Sequence, residues 1–292
     1  FFFQAEDGIR HRSPSRGLGD VYKRQHWKRL LSHIFCNRAL YKELLGEEHW
    51  LAVVGSILDL SRQANLTIYF TPLTSNISGI SELTPEEVES YFTRKDGTFL
   101  FARWGRPVAP VVFGLDDNSL AILKGAIEAV MSLTNQQMSE TDPELGSNFM
   151  FFFFSNWLEL IEVPNLDKLV PNMSTLVEQL IEAEANQYRI FRFDNAGAIR
   201  ACFVFIKIDE NIMQVPAQTL MLSQVVQSVL LWSDDAFKSG SPLLVSDDHH
   251  TLLKPTVSTL IRVAYDPTLP DASNDKSMAL RLSARVTKMV VN

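Results

Sequence analysis

The chain has 292 residues, 46% of them hydrophobic, with 27 Lys and Arg against 34 Asp and Glu and a net charge of −7. That acidic balance disfavours nucleic acid and anionic membranes as main partners, since both require a basic face. Cys36 and Cys202 are the only cysteines, too few for a disulfide framework or a cysteine-based zinc site.

Taken in chain order, residues 1–25 read as translated sequencing adapter. The stretch GLGDVYKRQ (17–25) matches one frame of a transposase library adapter at every residue, and QAEDGIR (4–10) matches one frame of a flow-cell primer behind a poly-T run. Such segments are set aside before fold reasoning. Subtracting Arg10, Arg12, Arg16, Lys23 and Arg24 from 27 leaves 22 basic residues; subtracting Glu6, Asp7 and Asp20 from 34 leaves 31 acidic ones, a net −9. A reading frame that opens at an adapter junction is expected to lack its native N-terminus.

Residues 26–97 read as a helical N-terminal region. Over 38–62 the apolar positions Leu40, Leu44, Leu45, Leu51, Val54, Ile57, Leu58 and Leu60 follow helical spacing, with Gly46 as a break. A short extended piece falls at 66–71. Thr84, Pro85 and Glu87 then spell a capping box ahead of a short helix.

Residues 98–270 combine strand and helix signals and read as an α+β domain with a small mixed sheet packed by helices. The pieces are an extended run over 98–113 broken by Pro107 and Pro110, a helix over 119–133, and a strand over 148–155. Helical pieces follow near 157–160 and 174–185. The strand contains the most apolar run of the chain, FMFFFF, which is far too short to cross a bilayer. A hairpin joins 188–193 to 198–207 around Asp194, Asn195, Ala196 and Gly197, a turn with glycine where a positive φ is needed. A helix is predicted over 216–232, a strand over 243–245, an acidic turn over 246–250 and a helix over 255–265. Asp266 and Pro267 stop that last helix. Residues 271–292 supply a polar linker and a closing helix over 277–290.

The 216–232 helix decides the enzyme question. On a 3.6-residue wheel Leu222, Val225, Val226, Val229 and Leu230 gather on one side and Ser223, Gln224, Gln227 and Ser228 on the other. The wheel predicts one packed face and one face turned to a cleft. Zinc hydrolysis on such a helix needs imidazoles at i and i+4 and a carboxylate to take a proton from bound water. Residues 216–232 contain no His, Asp or Glu, and a glutamine amide has no titratable proton to serve as general base. Ser223 and Ser228 lack the glycines of a nucleophile elbow.

The remaining candidates for chemistry lie downstream. Asp247, Asp248, His249 and His250, with Asp234 and Asp235 nearby in sequence, offer carboxylates and imidazoles to a divalent metal. Neighbouring residues on a regular element point in different directions, so at most two of the four converge on one ion, and an acidic loop capping the next helix is the simpler account of them. The polar loop Thr141, Asp142, Pro143, Glu144, Leu145 and Gly146 reads as a helix-to-strand connection or as the rim of a cleft. Trp104, Trp157 and Trp232 read as core or rim aromatics.

Several stretches together carry a family resemblance. ARWGRPVAPVVFG (102–114), a helix, the strand at 148–154, IRACFVF (199–205), LMLSQVVQSVLLWSDD (220–235), PLLVSDDHHTLLKP (242–255) and LIRVAYDPTLP (260–270) resemble the proteobacterial family known as domain of unknown function 2927. The resemblance spans about 99–270. It implies a zincin-like layout, in which the equivalent helix carries a glutamate pair, a glutamine and a Leu-Gly turn. In this sequence the glutamate pair falls at Ser223 and Gln224, the glutamine at Gln227, the glycine at Leu230 and the polar end at Ser233 and Asp234. Only Gln227 and Asp234 are kept in kind. The resemblance therefore implies a peptidase-like shell without zinc chemistry.

Three functional expectations follow. In the first there are no catalytic residues and no cofactor, and Ser223, Gln224, Gln227 and Ser228 line a groove for an extended peptide or protein segment. In the second, a metal-dependent hydrolase works through Asp234, Asp247, His249 and His250 with zinc or another divalent ion. In the third, a structural subunit associates with itself through the helices at 38–62 and 277–290. The compartment, cytoplasmic or periplasmic, stays open.

Overall fold

The computed structural model describes residues 83–164, 166–238, 240–245 and 251–291. The helices expected over 38–62, the extended piece at 66–71 and the turn at 246–250 lie outside these residues. The first described helix, α1 (Pro85–Ser90), starts as its sequence dictates. Thr84 Oγ1 accepts from the Glu87 amide at 3.2 Å and the Glu87 carboxylate accepts from the Thr84 amide at 2.8 Å, so two donors of the first turn are satisfied reciprocally.

A four-stranded mixed sheet follows. Strand β1 (Phe101–Ala102) lies outside it, and β2 (Pro110–Phe113) forms one edge. Helix α2 (Asp117–Thr134) then leads to β3 (Phe149–Phe154). It begins two residues ahead of the expected Ser119 because Asp116 caps it, accepting from Asn118 and Ser119. Short helices α3 (Glu159–Glu162) and α4 (Leu166–Leu169) precede α5 (Met173–Glu182), and the hairpin β4 (Gln187–Phe193) and β5 (Ile199–Lys207) comes next. The sheet order is β2-β3-β5-β4, with β2, β3 and β5 parallel and β4 antiparallel on the outer side of β5.

Every residue of β3 is buried, which is what a continuous apolar run demands of a strand covered on both faces. Side chains alternate along it. Met150, Phe152 and Phe154 join Ala201, Phe203 and Phe205 of β5 in one core with Trp157, Leu160, Met173, Val177 and Leu180. Phe149, Phe151 and Phe153 therefore turn to the opposite layer, where Trp104 lies against Phe149 at a centroid distance of 5.4 Å. That layer is built by α2 and by the helix after the hairpin.

After the short helix α6 (Glu210–Met213), helix α7 (Ala217–Val229) packs against β5 and α2. The expected helix ran to Trp232, yet Leu230 is extended at φ −134° and ψ 159°. The cause is nonlocal: Arg103 forms a bridge with Leu230, and the Leu231 amide donates to Ala102 O at 2.9 Å. The pair β6 (Leu243–Val245) and β7 (Thr251–Leu253) is antiparallel. Helix α8 (Pro255–Ala264) ends before Asp266 and Pro267 as expected. The polar stretch after it contains β8 (Ala272–Ser273), which pairs with β1, and α9 (Ser277–Val291) closes the chain. Among the described residues no helix is long and apolar enough to cross a membrane.

Candidate functional site between the edge strand and helix α7

The C-terminus of α7 leaves carbonyls with no intrahelical donor, and aromatic side chains supply most of what is missing. Trp232 Nε1 donates to Val226 O at 2.8 Å, Trp104 Nε1 to Ser228 O at 3.0 Å, and the Tyr265 hydroxyl to Val229 O at 2.6 Å. Trp104 and Trp232 are thus core residues with their one polar atom spent. Burial raises the Tyr265 phenol above its ordinary range, with the Trp104 amide and the Arg103 charge pulling more weakly the other way. Tyr265 is a fixed donor rather than an acid of use at neutral pH.

These anchors rotate the polar side of α7 toward the sheet. Gln224 and Ser228 are 2% and 0% exposed, while Ser223 and Gln227 are half-buried. The wheel expected one packed face and one turned to a cleft, but Gln224 and Ser228 are buried, so the polar stripe is not an open wall along its length. Ser228 Oγ donates to the Gln224 carbonyl at 2.7 Å, a local bond within the helix.

The stripe is organised by a residue that sequence reading passed over. Arg189 of β4 donates from Nη2 to Gln224 Oε1 at 2.7 Å and from Nη1 to Gln227 Oε1 at 3.4 Å. Gln224 Nε2 donates in turn to Gln187 Oε1 at 2.7 Å, and Gln227 Nε2 to Ser223 Oγ at 2.8 Å. A single chain of bonds therefore runs from Gln187 across Arg189 to Ser223. The residue as a whole is half-buried, but its Nε is sealed from solvent and has no hydrogen-bond partner. Burial lowers the guanidinium pKa, though arginine keeps its proton at neutral pH. Beneath it the buried Cys202 thiol is pushed up to about 12 by burial, a shift that Arg189 and Ser228 only partly oppose. Such a thiol is a small apolar filler rather than a nucleophile. The signal that could have found Arg189 is a cation in a strand rich in aromatics, QYRIFRF, where Arg192 is a second one.

Of the alternative metal set, only Asp234 lies among the described residues. It is exposed and pairs with Arg94 at 3.3 Å. Asp247, His249 and His250 fall outside them. Among the described residues no group of three or more His, Cys, Asp or Glu side chains converges.

The loop around Asp142 holds the turn into β3. Asp142 is 5% exposed and accepts from the Glu144 and Leu145 amides at 2.9 and 2.8 Å and from Asn148 Nδ2 at 2.9 Å, with Arg106 at 3.4 Å. Burial works against its ionisation, but these donors outweigh burial and hold the carboxyl below its ordinary range. A depressed folded-state pKa stabilises the fold above the unfolded value of about 3.9, and that contribution is lost as pH falls through the folded value. Asp142→Asn is therefore expected to cost about 2 kcal/mol at pH 7. In urea titrations the gap to the parent chain should narrow progressively below about pH 4; a gap independent of pH would show that the charge is not what matters.

Fold and site together define a mixed α+β domain with a half-buried cation held between an edge strand and the neutral polar stripe of a helix. Comparison with known protein families, with curated proteins and with solved structures finds no match.

Proposed function

We propose that this chain is a catalytically inactive binding domain of zincin-like layout, related to the domain of unknown function 2927 family, in which β4 and the adjoining side of α7 receive an extended segment of a partner. The single observation that carries this reading is the position of Arg189. A guanidinium bonded to both glutamines of the α7 stripe sets a fixed positive charge beside the positions that would carry helix-borne ligands, and that charge repels a divalent cation. The glutamines that face it are neutral acceptors, unable to act as general base.

Binding is favoured over a purely structural role by the state of β4. Among the described residues no strand pairs with its outer edge, and Tyr188 and Phe193 on it are 37% and 41% exposed. An unpaired edge of seven residues offers main-chain donors and acceptors to an added strand. Two measurements test the proposal together. Protein purified without a chelating tag is expected to contain substoichiometric transition metal, and amides of β4 are expected to exchange more slowly when short blocked peptides of alternating valine and threonine are added. Stoichiometric zinc would instead support the hydrolase built on Asp234, Asp247, His249 and His250, and unchanged exchange along β4 would remove the docking site.

A further inference from the structure

A charge held partly out of water without a counter-charge is costly, and the other partly buried arginines of this domain avoid that state. Arg103 pairs with Asp271 at 2.7 Å, Arg106 with Glu144 at 2.9 Å, Arg200 with Glu144 at 2.6 Å and Arg285 with Asp266 at 3.2 Å. Arg189 differs. Among the described residues no carboxylate lies within ion-pairing distance of it, and its partners are the oxygens of Gln224 and Gln227 alone. Both amides turn their oxygens toward the cation, and each amide nitrogen is tied behind, to Gln187 and to Ser223. The network thus turns two amide oxygens on one guanidinium and still leaves Nε unmatched.

The chemistry of the site is that of a preorganised anion receptor. The cation is fixed by the strand on one side and by a helix on the other, so little ordering remains to be done when an anion arrives. Guanidinium donors in a planar fork match a carboxylate better than any neutral acceptor does. Access comes from the half-buried residues of the chain of bonds, Arg189, Gln227 and Ser223, and from the exposed Gln187. The receptor adjoins the open edge of β4, where alternate side chains of an added strand face the same way as Arg189.

We infer that the partner segment presents a carboxylate, from an aspartate or glutamate side chain, to Arg189 between β4 and α7. This inference rests on the docking reading above and names the feature by which the segment is selected. A charged acceptor displaces Gln227 from the guanidinium, the weaker of the two existing bonds at 3.4 Å, and Gln227 turns back on Ser223. In the low-dielectric gap the charge-assisted pair outweighs the amide bond it replaces.

The test compares two blocked hexapeptides of alternating valine and threonine, identical except that one residue is glutamate in the first and glutamine in the second. Binding to the full chain is followed by calorimetry at low and at high sodium chloride. The glutamate peptide is expected to bind about tenfold tighter than the glutamine peptide, with the advantage shrinking as salt rises. In Arg189→Gln the two peptides should bind alike. Because that variant removes a half-buried anchor, Gln227→Glu serves as a second one: it gives Arg189 a carboxylate of its own, and the preference for the glutamate peptide should vanish or reverse while the fold is retained. Equal affinity of the parent chain for both peptides would overturn the carboxylate inference and leave strand docking standing. Failure of both peptides to bind would overturn both.

Discussion

Arg103→Met is expected to lower the free energy of unfolding by about 3–5 kcal/mol, the scale set by removing one partner from a buried, hydrogen-bonded charge. Arg103 is 7% exposed. Its Nε donates to Asp271 Oδ1 at 2.7 Å, Nη1 donates to Ala264 O at 2.9 Å and to Asp266 O at 3.0 Å, and Nη2 donates to Leu269 O at 3.0 Å. The Asp271 side chain is 47% exposed, so solvent screens that pair and most of the effect belongs to the carbonyls. Those carbonyls end α8 and form the turn after it. Methionine keeps the length of the side chain and removes all of its donors, which leaves buried acceptors unmatched at about 1–3 kcal/mol each. The Tyr265 ring, 5.5 Å from the guanidinium carbon, loses its cation as well. Arg103→Lys should recover only part of the loss, because an ammonium cannot reproduce the planar fork. Urea titration should show a lower midpoint at an unchanged slope, and a midpoint within experimental error of the parent's would refute the anchoring role.

The same contacts explain why two distant stretches of the sequence stand out together. ARWGRP and AYDPTLP are more than 150 positions apart, yet Arg103 donates to the carbonyls on either side of Tyr265, while the Trp104 amide donates to the Tyr265 hydroxyl at 3.3 Å. Both stretches then close on the end of α7, through Trp104 Nε1 on Ser228 and the Tyr265 hydroxyl on Val229. The sheet, the last turn of the helix before the site and the C-terminal segments are one mechanical unit. A perturbation of this anchor is therefore expected to be felt at Gln224 and Gln227, one turn away.

What was legible in the sequence is what local chemistry decides. The capping box at Thr84, the apolar strand FMFFFF and the hairpin turn ending in Gly197, which sits at φ 86°, each depend on residues a few positions apart. What was not legible depends on partners brought in from afar. Strand β8, two residues long, exists only because it meets β1, so Ala272 and Ser273 read as linker. Leu230 to Trp232 continue the apolar pattern of a helix, and only the bridge to Arg103 turns them into extended chain. The site followed the same rule. The glutamines were visible as a stripe, but their orientation is set by Arg189, whose strand carries aromatic and aliphatic residues on both faces and so hides which side is inward.

Gly114→Ala should be nearly as damaging as the loss of Arg103, for a reason that lies entirely in the backbone. Gly114 follows β2 with φ at +84°, and a Cβ built there would stand 2.1 Å from Phe153 O and 3.1 Å from its carbonyl carbon. Neither obstacle is a flexible side chain. Phe153 belongs to β3, the strand buried on both faces, so relief must come from β2 moving away and breaking its register with Phe152. The stacked pair Phe113 and Phe152, with centroids 4.9 Å apart, would separate at the same time. Strain at a left-handed backbone position costs about 1–3 kcal/mol, and forced overpacking a similar amount. A sum of about 3–5 kcal/mol is a large part of ordinary domain stability, and should lower the melting temperature by about 10–15 °C. Gly97→Ala provides the control that separates the two terms. Gly97 has a similar φ of +82° but meets nothing within 4 Å, so its alanine variant should lose only about 1 kcal/mol from backbone strain. If the two variants melted together, the close approach of β3 would not be what requires glycine at 114.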